Sequence, residues 1–222
     1  MFPNLALVVL AGGKSKRFGG RNKLFIKIGQ ERIIDIIFSR IVPEFQKVYI
    51  VVNNKTQTRY LIEHAEDIIK YAKIIEDQNA TPDYSNIPAA MVGFHSAFNI
   101  ISEKYAFVLS ADMPFIQKEV IGFLVNILQK NFNSDAIVPR WGNGYLEPML
   151  SIYNVKQVLP YIREHLKRGN YQLVAVLKAL DSVKYVPIKK LKLHDENLKS
   201  LVNINNEDDL RAAKRFFGEK YN

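Results

Sequence analysis

The chain has no cysteine, which excludes disulfides, thiolate metal sites and cysteine nucleophiles. Such a chain suits a reducing compartment, and a cytoplasmic location is the expectation. No apolar run approaches the roughly 18 residues of a membrane span, so no membrane partner is expected. The sequence passes almost at once into an apolar stretch without a charged region before it, so no signal peptide is expected. The 4 histidines, His64, His95, His165 and His194, show no metal-ligand spacing and read as structural or exposed. Acidic residues are in the minority, 22 against 31 Lys and Arg, giving a net charge of +9 and a pI near 9.5. That balance favours anionic partners such as a nucleotide, a phosphorylated small molecule or nucleic acid, although a generally Lys-rich surface carries the same charge.

What is present suffices for one large α/β domain over residues 1–222: 48% of the chain is hydrophobic. Apolar and periodic stretches predict strands at Leu5–Ala11, Lys47–Val52, Lys73–Glu76, Tyr105–Leu109, Asp135–Pro139, Tyr145–Tyr153 and Val183–Val186. Helices are predicted at Glu31–Ile41, Thr58–Ile69, Ala89–Ile101, Gln117–Asn131, Val155–Lys167, Tyr171–Leu180 and Asn206–Phe217. Pro43 stops the first helix, and Asn206 opens the last with Glu207 and Asp208 in its first turn. This alternation argues for a mainly parallel sheet covered by helices. Asp77–Pro88 is polar and turn-rich and reads as a mobile loop. A functional division near Asp135 would leave nucleotide to the first half and the acceptor to the second.

The stretch from Leu10 to Lys23 organises the chain. Four glycines (Gly12, Gly13, Gly19, Gly20) follow the first strand, with Lys14, Lys16, Arg17, Arg21 and Lys23 around them. Glycine lets a backbone approach a ligand closely, and successive N–H groups can form an anion-binding concavity. The Walker A spacing is absent, because Gly13 to Gly19 is too wide and Arg21 follows Gly20. The dinucleotide spacing is absent too, because Gly12 and Gly13 are adjacent. What remains is a triphosphate cradle of the pattern L-A-G-G-x-S-x-R-F-G-x-x-x-K.

Asp112 follows a strand, within Ser110-Ala111-Asp112-Met113-Pro114. Ligands of open α/β sheets lie beyond the carboxyl ends of strands, so Asp112 shares a rim with the glycine loop. A carboxylate there can hold magnesium together with phosphate oxygens, or cap the next helix. Asn53 ends another strand and suits either a sugar or base contact or a turn. Asp77 suits either a nucleotide or metal contact or a loop. Glu147 suits either an acceptor pocket or a strand edge. Asn203 and Asn205 alternate on one face of a predicted extended segment, as a heterocycle would need, or cap its end. Trp141 and Tyr145 suit stacking or core packing, and Lys189–Lys192 a solvated face.

Four segments, Leu10–Lys23, Ala89–Phe98, Ser110–Pro114 and Asn203–Leu210, together resemble the molybdenum cofactor guanylyltransferase (MobA-like) family. The terminal N-I-N-N-E-D-D-L is similar to that family's N-x-N-T-P-E-D-L, and Ala11-Gly12-Gly13 to its guanylyl form. The resemblance implies a three-layer α/β/α Rossmann-like nucleotidyltransferase fold. It implies transfer of GMP from GTP to a molybdopterin-type cofactor, giving a guanine dinucleotide and pyrophosphate. Leu10, Ala11, Gly12, Gly13, Lys23, Asn53, Asp77 and Asp112 would bind nucleotide. Arg17, Lys23 and Asp112 would be catalytic, Asp112 holding magnesium. Asn203 and Asn205 would lie near the pterin acceptor, and Glu147, by its place in the predicted strand rather than by the resemblance, is expected on the same acceptor side. Transient contact with molybdoenzyme maturation proteins is implied, with no nucleic acid and no membrane. Ala89-Ala90-Met91 replaces the family's Gly-Pro-Leu, Phe18 its Met, and Asn206-Glu207 its Thr-Pro. Rival readings are a cobinamide-phosphate guanylyltransferase, a cytidylyltransferase, a sugar-phosphate nucleotidyltransferase or a basic nucleic-acid-binding module. The last predicts a Lys/Arg stripe with interleaved aromatics, whereas the basic charge clusters at a glycine loop.

Overall fold

The computed structural model describes residues 2, 4–12, 23–77 and 90–217, apart from the side chains of Lys23, Phe216 and Phe217. Most of the glycine loop (13–22) and of the polar segment after Asp77 (78–89) lies outside the described residues.

The sheet grows from β1 (Leu5–Leu10), which is buried at every position. Side chains alternate across a strand, so Leu5, Leu7 and Val9 join one core cluster and Ala6, Val8 and Leu10 the other. A strand apolar on both faces needs cover on both, which is why it sits centrally in a helix-flanked sheet. β4 (Lys47–Val52) pairs with it on one side and β6 (Tyr105–Ser110) on the other, both parallel. β5 (Lys73–Glu76) extends the β4 edge. Beyond β6 come β8 (Leu150–Asn154), β7 (Ala136–Arg140) and β9 (Val183–Pro187), giving the order β5-β4-β1-β6-β8-β7-β9. Within this sheet β8 alone runs antiparallel to its neighbours. β2 (Lys27–Ile28) and β3 (Glu31–Arg32) form a small separate hairpin.

The helices are α1 (Ile33–Ile41), α2 (Lys55–His64), α3 (Glu66–Ile69), α4 (Ala90–Ile100), α5 (Lys118–Lys130), α6 (Val155–Lys167), α7 (Leu173–Ala179), α8 (Ile188–Leu191) and α9 (Glu207–Phe217). Helices α4 and α6 carry the cluster on one face of the sheet, α1 and α5 that on the other. Among the described residues, no helix is long and apolar enough to cross a membrane.

Several expected elements differ, three of them as follows. The helix expected at Glu31–Ile41 begins at Ile33, because Glu31 and Arg32 pair with the preceding strand. Arg32 then caps α1, its Nε and Nη2 donating to Asp35 at 2.6 Å each and its main-chain N–H to the same carboxylate at 3.1 Å. The helix expected at Thr58–Ile69 begins earlier, at Lys55, where the Asn54 side chain accepts from the Gln57 N–H at 3.1 Å. It breaks at buried Ala65, whose φ of −144° leaves the helical range. The strand expected at Tyr145–Tyr153 begins only at Leu150. Tyr145 and Leu146 instead turn back on β7, and Glu147 to Leu150 closes a turn through Leu150 N–H to Glu147 O at 3.1 Å. Pro148, having no N–H, suits that turn better than a central ladder. Glu147 therefore stands on a turn and not within a strand.

Candidate active site at the sheet rim

Parallel strands end on one rim, and β1 delivers Ala11 and Gly12 to its centre. Ala11 N–H donates to Val51 O at 2.8 Å, and Ala111 N–H to Leu10 O at 3.1 Å. The ends of β4, β1 and β6 are thus tied together just where each strand stops. Gly12 is required by space. A Cβ there would stand 2.4 Å from Asn53 Oδ1, 3.3 Å from Asn53 Cγ and 3.6 Å from Asp77 Oδ2. Gly93 on α4 has a related reason, since its Cβ would meet Leu10 Cδ2 at 3.2 Å. That close helix–strand approach sets α4 against the end of β1.

Asn53 and Asp77 are held by their surroundings. The Asn53 N–H donates to Gln57 Oε1 at 2.8 Å, so the start of α2 fixes its backbone. Thr58 Oγ1 donates to Glu76 Oε1 at 2.6 Å, tying α2 to the end of β5 beside Asp77. Asp77 is only 7% exposed, and its Oδ1 accepts no hydrogen bond among the described residues. Burial pushes its carboxyl up to about 6, against the opposing hydrogen bond from Ser96. A buried carboxylate oxygen of this kind suits N–H donors brought by a ligand.

Asp112 lies in the turn after β6, where Met113 N–H donates to Ser110 O at 3.1 Å. Its own main-chain oxygen accepts from Ile204 N–H at 2.8 Å. That bond brings the segment Asn203–Asn205 to the rim. The segment is not the strand expected, and Asn203 Nδ2 donates to Leu201 O at 3.1 Å while Asn205 N–H donates to Asp209 Oδ2 at 2.7 Å. The expected alternation survives without a sheet: Ile204 is fully buried, and Asn203 and Asn205 are both exposed. Asn206 caps α9 as read from the sequence, its Oδ1 accepting from Asp208 and Asp209 N–H at 2.8 and 2.9 Å.

On the other side of β6, Ser110 N–H donates to Met149 O at 3.2 Å, which brings in the Glu147 turn. Trp141 Nε1 donates to Glu147 Oε1 at 2.6 Å. Burial raises the Glu147 carboxyl above its ordinary range, and the indole N–H opposes that shift.

The rim therefore gathers Leu10, Ala11, Gly12, Asn53, Asp77 and Asp112, with Asn203, Asn205 and Glu147 bordering it. Gly13, Arg17 and the Lys23 side chain lie outside the described residues. The sequence reading missed Ser96, Gln57 and the pairing of Trp141 with Glu147; only the glycine-containing turn between the last two hints that they meet. His64 stacks on Tyr60 at 4.1 Å and His194 on Phe123 at 4.5 Å. Among the described residues no group of three His, Cys, Asp or Glu closes a metal cage. Asp112 supplies one hard anionic oxygen donor at the rim, which fits a magnesium ion completing its shell with phosphate and water.

The family model for the MobA-like NTP transferase domain matches residues 7–183 of this chain. The chain is 27% identical to the molybdenum cofactor guanylyltransferase of Desulfosudis oleivorans, covering 93% of each chain. It is 30% identical to the probable molybdenum cofactor guanylyltransferase of Thermococcus gammatolerans, covering 91% of this chain and 95% of that one. Among solved structures, molybdopterin-guanine dinucleotide biosynthesis protein A from Archaeoglobus fulgidus superposes with a TM-score of 0.79 at 26% identity. That match covers 96% of this chain and 99% of the other.

Proposed function

The chain belongs to the MobA-like NTP transferase family, and on that premise we propose that it transfers GMP from GTP to a molybdopterin-type cofactor. The products are the guanine dinucleotide form of the cofactor and pyrophosphate. An acceptor phosphate oxygen attacks the α-phosphorus of GTP, a new P–O bond forms, and the bond to the β-phosphate bridging oxygen breaks. No protein nucleophile is needed, so the chain's task is to position two anions and offset their charge.

The observation that carries this reading is the Ile204–Asp112 main-chain bond, which sets an exposed amide pair beside the strand ends that hold Gly12, Asn53 and Asp77. Nucleotide then lies over the N-terminal strands. Gly12 admits it closely, Asn53 offers an amide, and Asp77 accepts N–H groups of the base. Gly13, Arg17 and Lys23 belong to the same side by the sequence pattern, Arg17 and Lys23 neutralising phosphate. Asn203, Asn205 and Glu147 face the acceptor in the second half of the same sheet. Asp112, between the two sides, would hold magnesium, which when bound offsets phosphate charge at the reacting centre.

Incubating the purified chain with GTP, magnesium and the molybdopterin-type acceptor, and identifying the products by mass, tests the reading. A guanine dinucleotide with stoichiometric pyrophosphate is expected. GTP consumption only with a sugar phosphate, or transfer only from CTP, would overturn it.

A further inference from the structure

We propose that the Trp141–Glu147 pair reads the amino–imino edge of the acceptor's pterin ring, with Glu147 making the contact and Trp141 as its positioning residue. The inference rests on the proposed pterin acceptor and names the group that selects it.

β8 is antiparallel, so its beginning lies on the rim where the other strands end. That arrangement sets the Glu147 turn beside Ser110 and the turn of Asp112. The main chain of Glu147 is fixed at both ends. Its N–H donates to Pro139 O at 3.0 Å, and its carbonyl accepts from Leu150 N–H at 3.1 Å and Ser151 Oγ at 2.6 Å. The side chain is fixed as well. Trp141 is packed partly against the core, and its single N–H reaches Glu147 Oε1. An indole donates and does not accept, so this bond has one sense only.

Trp141 leaves Glu147 with capacity to spare. A carboxylate has about four acceptor sites, and the indole takes one. Among the described residues no Lys or Arg forms an ion pair with Glu147, and its Oε2 accepts no hydrogen bond. A half-buried carboxylate is costly unless donors reach it. If the residue served only to satisfy the indole, a neutral amide oxygen would do as well. The charge is matched instead by two parallel N–H donors, which a 2-amino-4-oxopyrimidine ring presents side by side, as a guanidinium does.

Guanine carries the same edge, and position separates the two. Asp77 follows β5 and Glu147 precedes β8, four strand steps apart in the sheet order. At roughly 4.8 Å a step this is about 19 Å along the sheet, with Asp112 between them at the end of β6. A molecule with one such ring at each end and a pyrophosphate in the middle fits that spacing. The two carboxylates then serve the two ends, Asp77 the base of GTP and Glu147 the pterin.

The test is steady-state transfer by the full chain with GTP, magnesium and acceptor, comparing Glu147→Gln, Trp141→Phe and the double variant. Glu147→Gln should raise the acceptor KM about tenfold or more, as expected for losing hydrogen bonds to a charged group. Its GTP KM, and its kcat at saturating acceptor, should stay within about twofold. Trp141→Phe should raise the acceptor KM less, and should add nothing in the Glu147→Gln background. A direct competition supplies a second readout: free pterin should displace acceptor better than the 2,4-dioxo analogue lumazine, and Glu147→Gln should lose that preference. An unchanged acceptor KM in Glu147→Gln, a raised GTP KM instead, or an additive Trp141→Phe effect overturns the proposal while leaving guanylyl transfer standing. If the unaltered chain transfers to no pterin acceptor, both readings fall. Should Trp141→Phe fail to fold, Glu147→Gln and the competition decide the matter.

Discussion

Replacing Gly12 by alanine should separate binding from folding at the centre of the rim. The added Cβ would stand 2.4 Å from Asn53 Oδ1, and Asn53 Cγ lies at 3.3 Å. The nearest atom is the end of a side chain, and Gly12 has no left-handed φ that alanine would resist. The fold can therefore relieve the clash by rotating the Asn53 amide away. Folding should change by about 1 kcal/mol or less, because a compatible Gly→Ala change also lowers the entropy of the unfolded chain. Nucleotide binding should suffer far more. Losing a placed amide and putting a methyl where a ligand approaches should cost about 1–3 kcal/mol, or roughly 5- to 150-fold in Kd. Calorimetric titration with GTP, beside a thermal melt, reads both quantities. In an Asn53→Ala background the clash partner is gone, so Gly12→Ala should cost less than it does alone. Wild-type GTP affinity in Gly12→Ala, or full additivity of the two changes, would refute the reasoning.

Asp77 gives a pH signature. Its folded pKa of about 6 lies above the ordinary 3.8, so its ionisation destabilises the free fold increasingly as pH rises between those values. Asp77→Asn should therefore be more stable than the unaltered chain at pH 8 by about 3 kcal/mol, the difference closing below pH 4, as read by denaturant unfolding. Its GTP affinity should nonetheless fall. Asp112→Asn should abolish magnesium-dependent transfer with the melt unchanged, because the bond to Ile204 uses the main chain and survives. Retained magnesium-dependent activity would remove Asp112 from the metal. Alanine at both Asn203 and Asn205 should weaken acceptor binding by about 1–3 kcal/mol per lost bond and leave GTP affinity unchanged; loss of GTP binding instead would discard the two-sided arrangement.

Much of this was legible in the sequence for simple reasons. Leu5–Leu10 and Lys47–Val52 are apolar on both faces, and only a covered sheet hides such runs. Asn53 directly follows a run of that kind and Asp112 lies just beyond another, which puts both on the rim. What escaped was whatever depends on contacts between distant segments. Asn203 and Asn205 alternate as a strand would, yet the alternation comes from one buried isoleucine and a hydrogen bond to a turn far earlier in the chain, at Asp112. The Tyr145–Tyr153 run looked like one strand because its apolar residues suit extension. The turn-back of Tyr145 onto Trp141 takes its first residues away. Periodicity records which side chains want burial, and it cannot record which backbone has already claimed their hydrogen bonds.

The bond between Ile204 and Asp112 also bears on how such a protein can change over evolutionary time. It joins two main chains, so neither flanking side chain takes part in it. Residues 203 and 205 point outward around a buried pivot. Their identities can drift without moving the carboxylate next door. If these two amides meet the acceptor, as proposed, a lineage could thereby exchange one small-molecule acceptor for another by two surface substitutions while its nucleotide side stayed in place. Replacing Asn203 and Asn205 together in a library, and sequencing what remains folded, should return many tolerated pairs. The same experiment at position 204 should return almost none beyond isoleucine, valine and leucine.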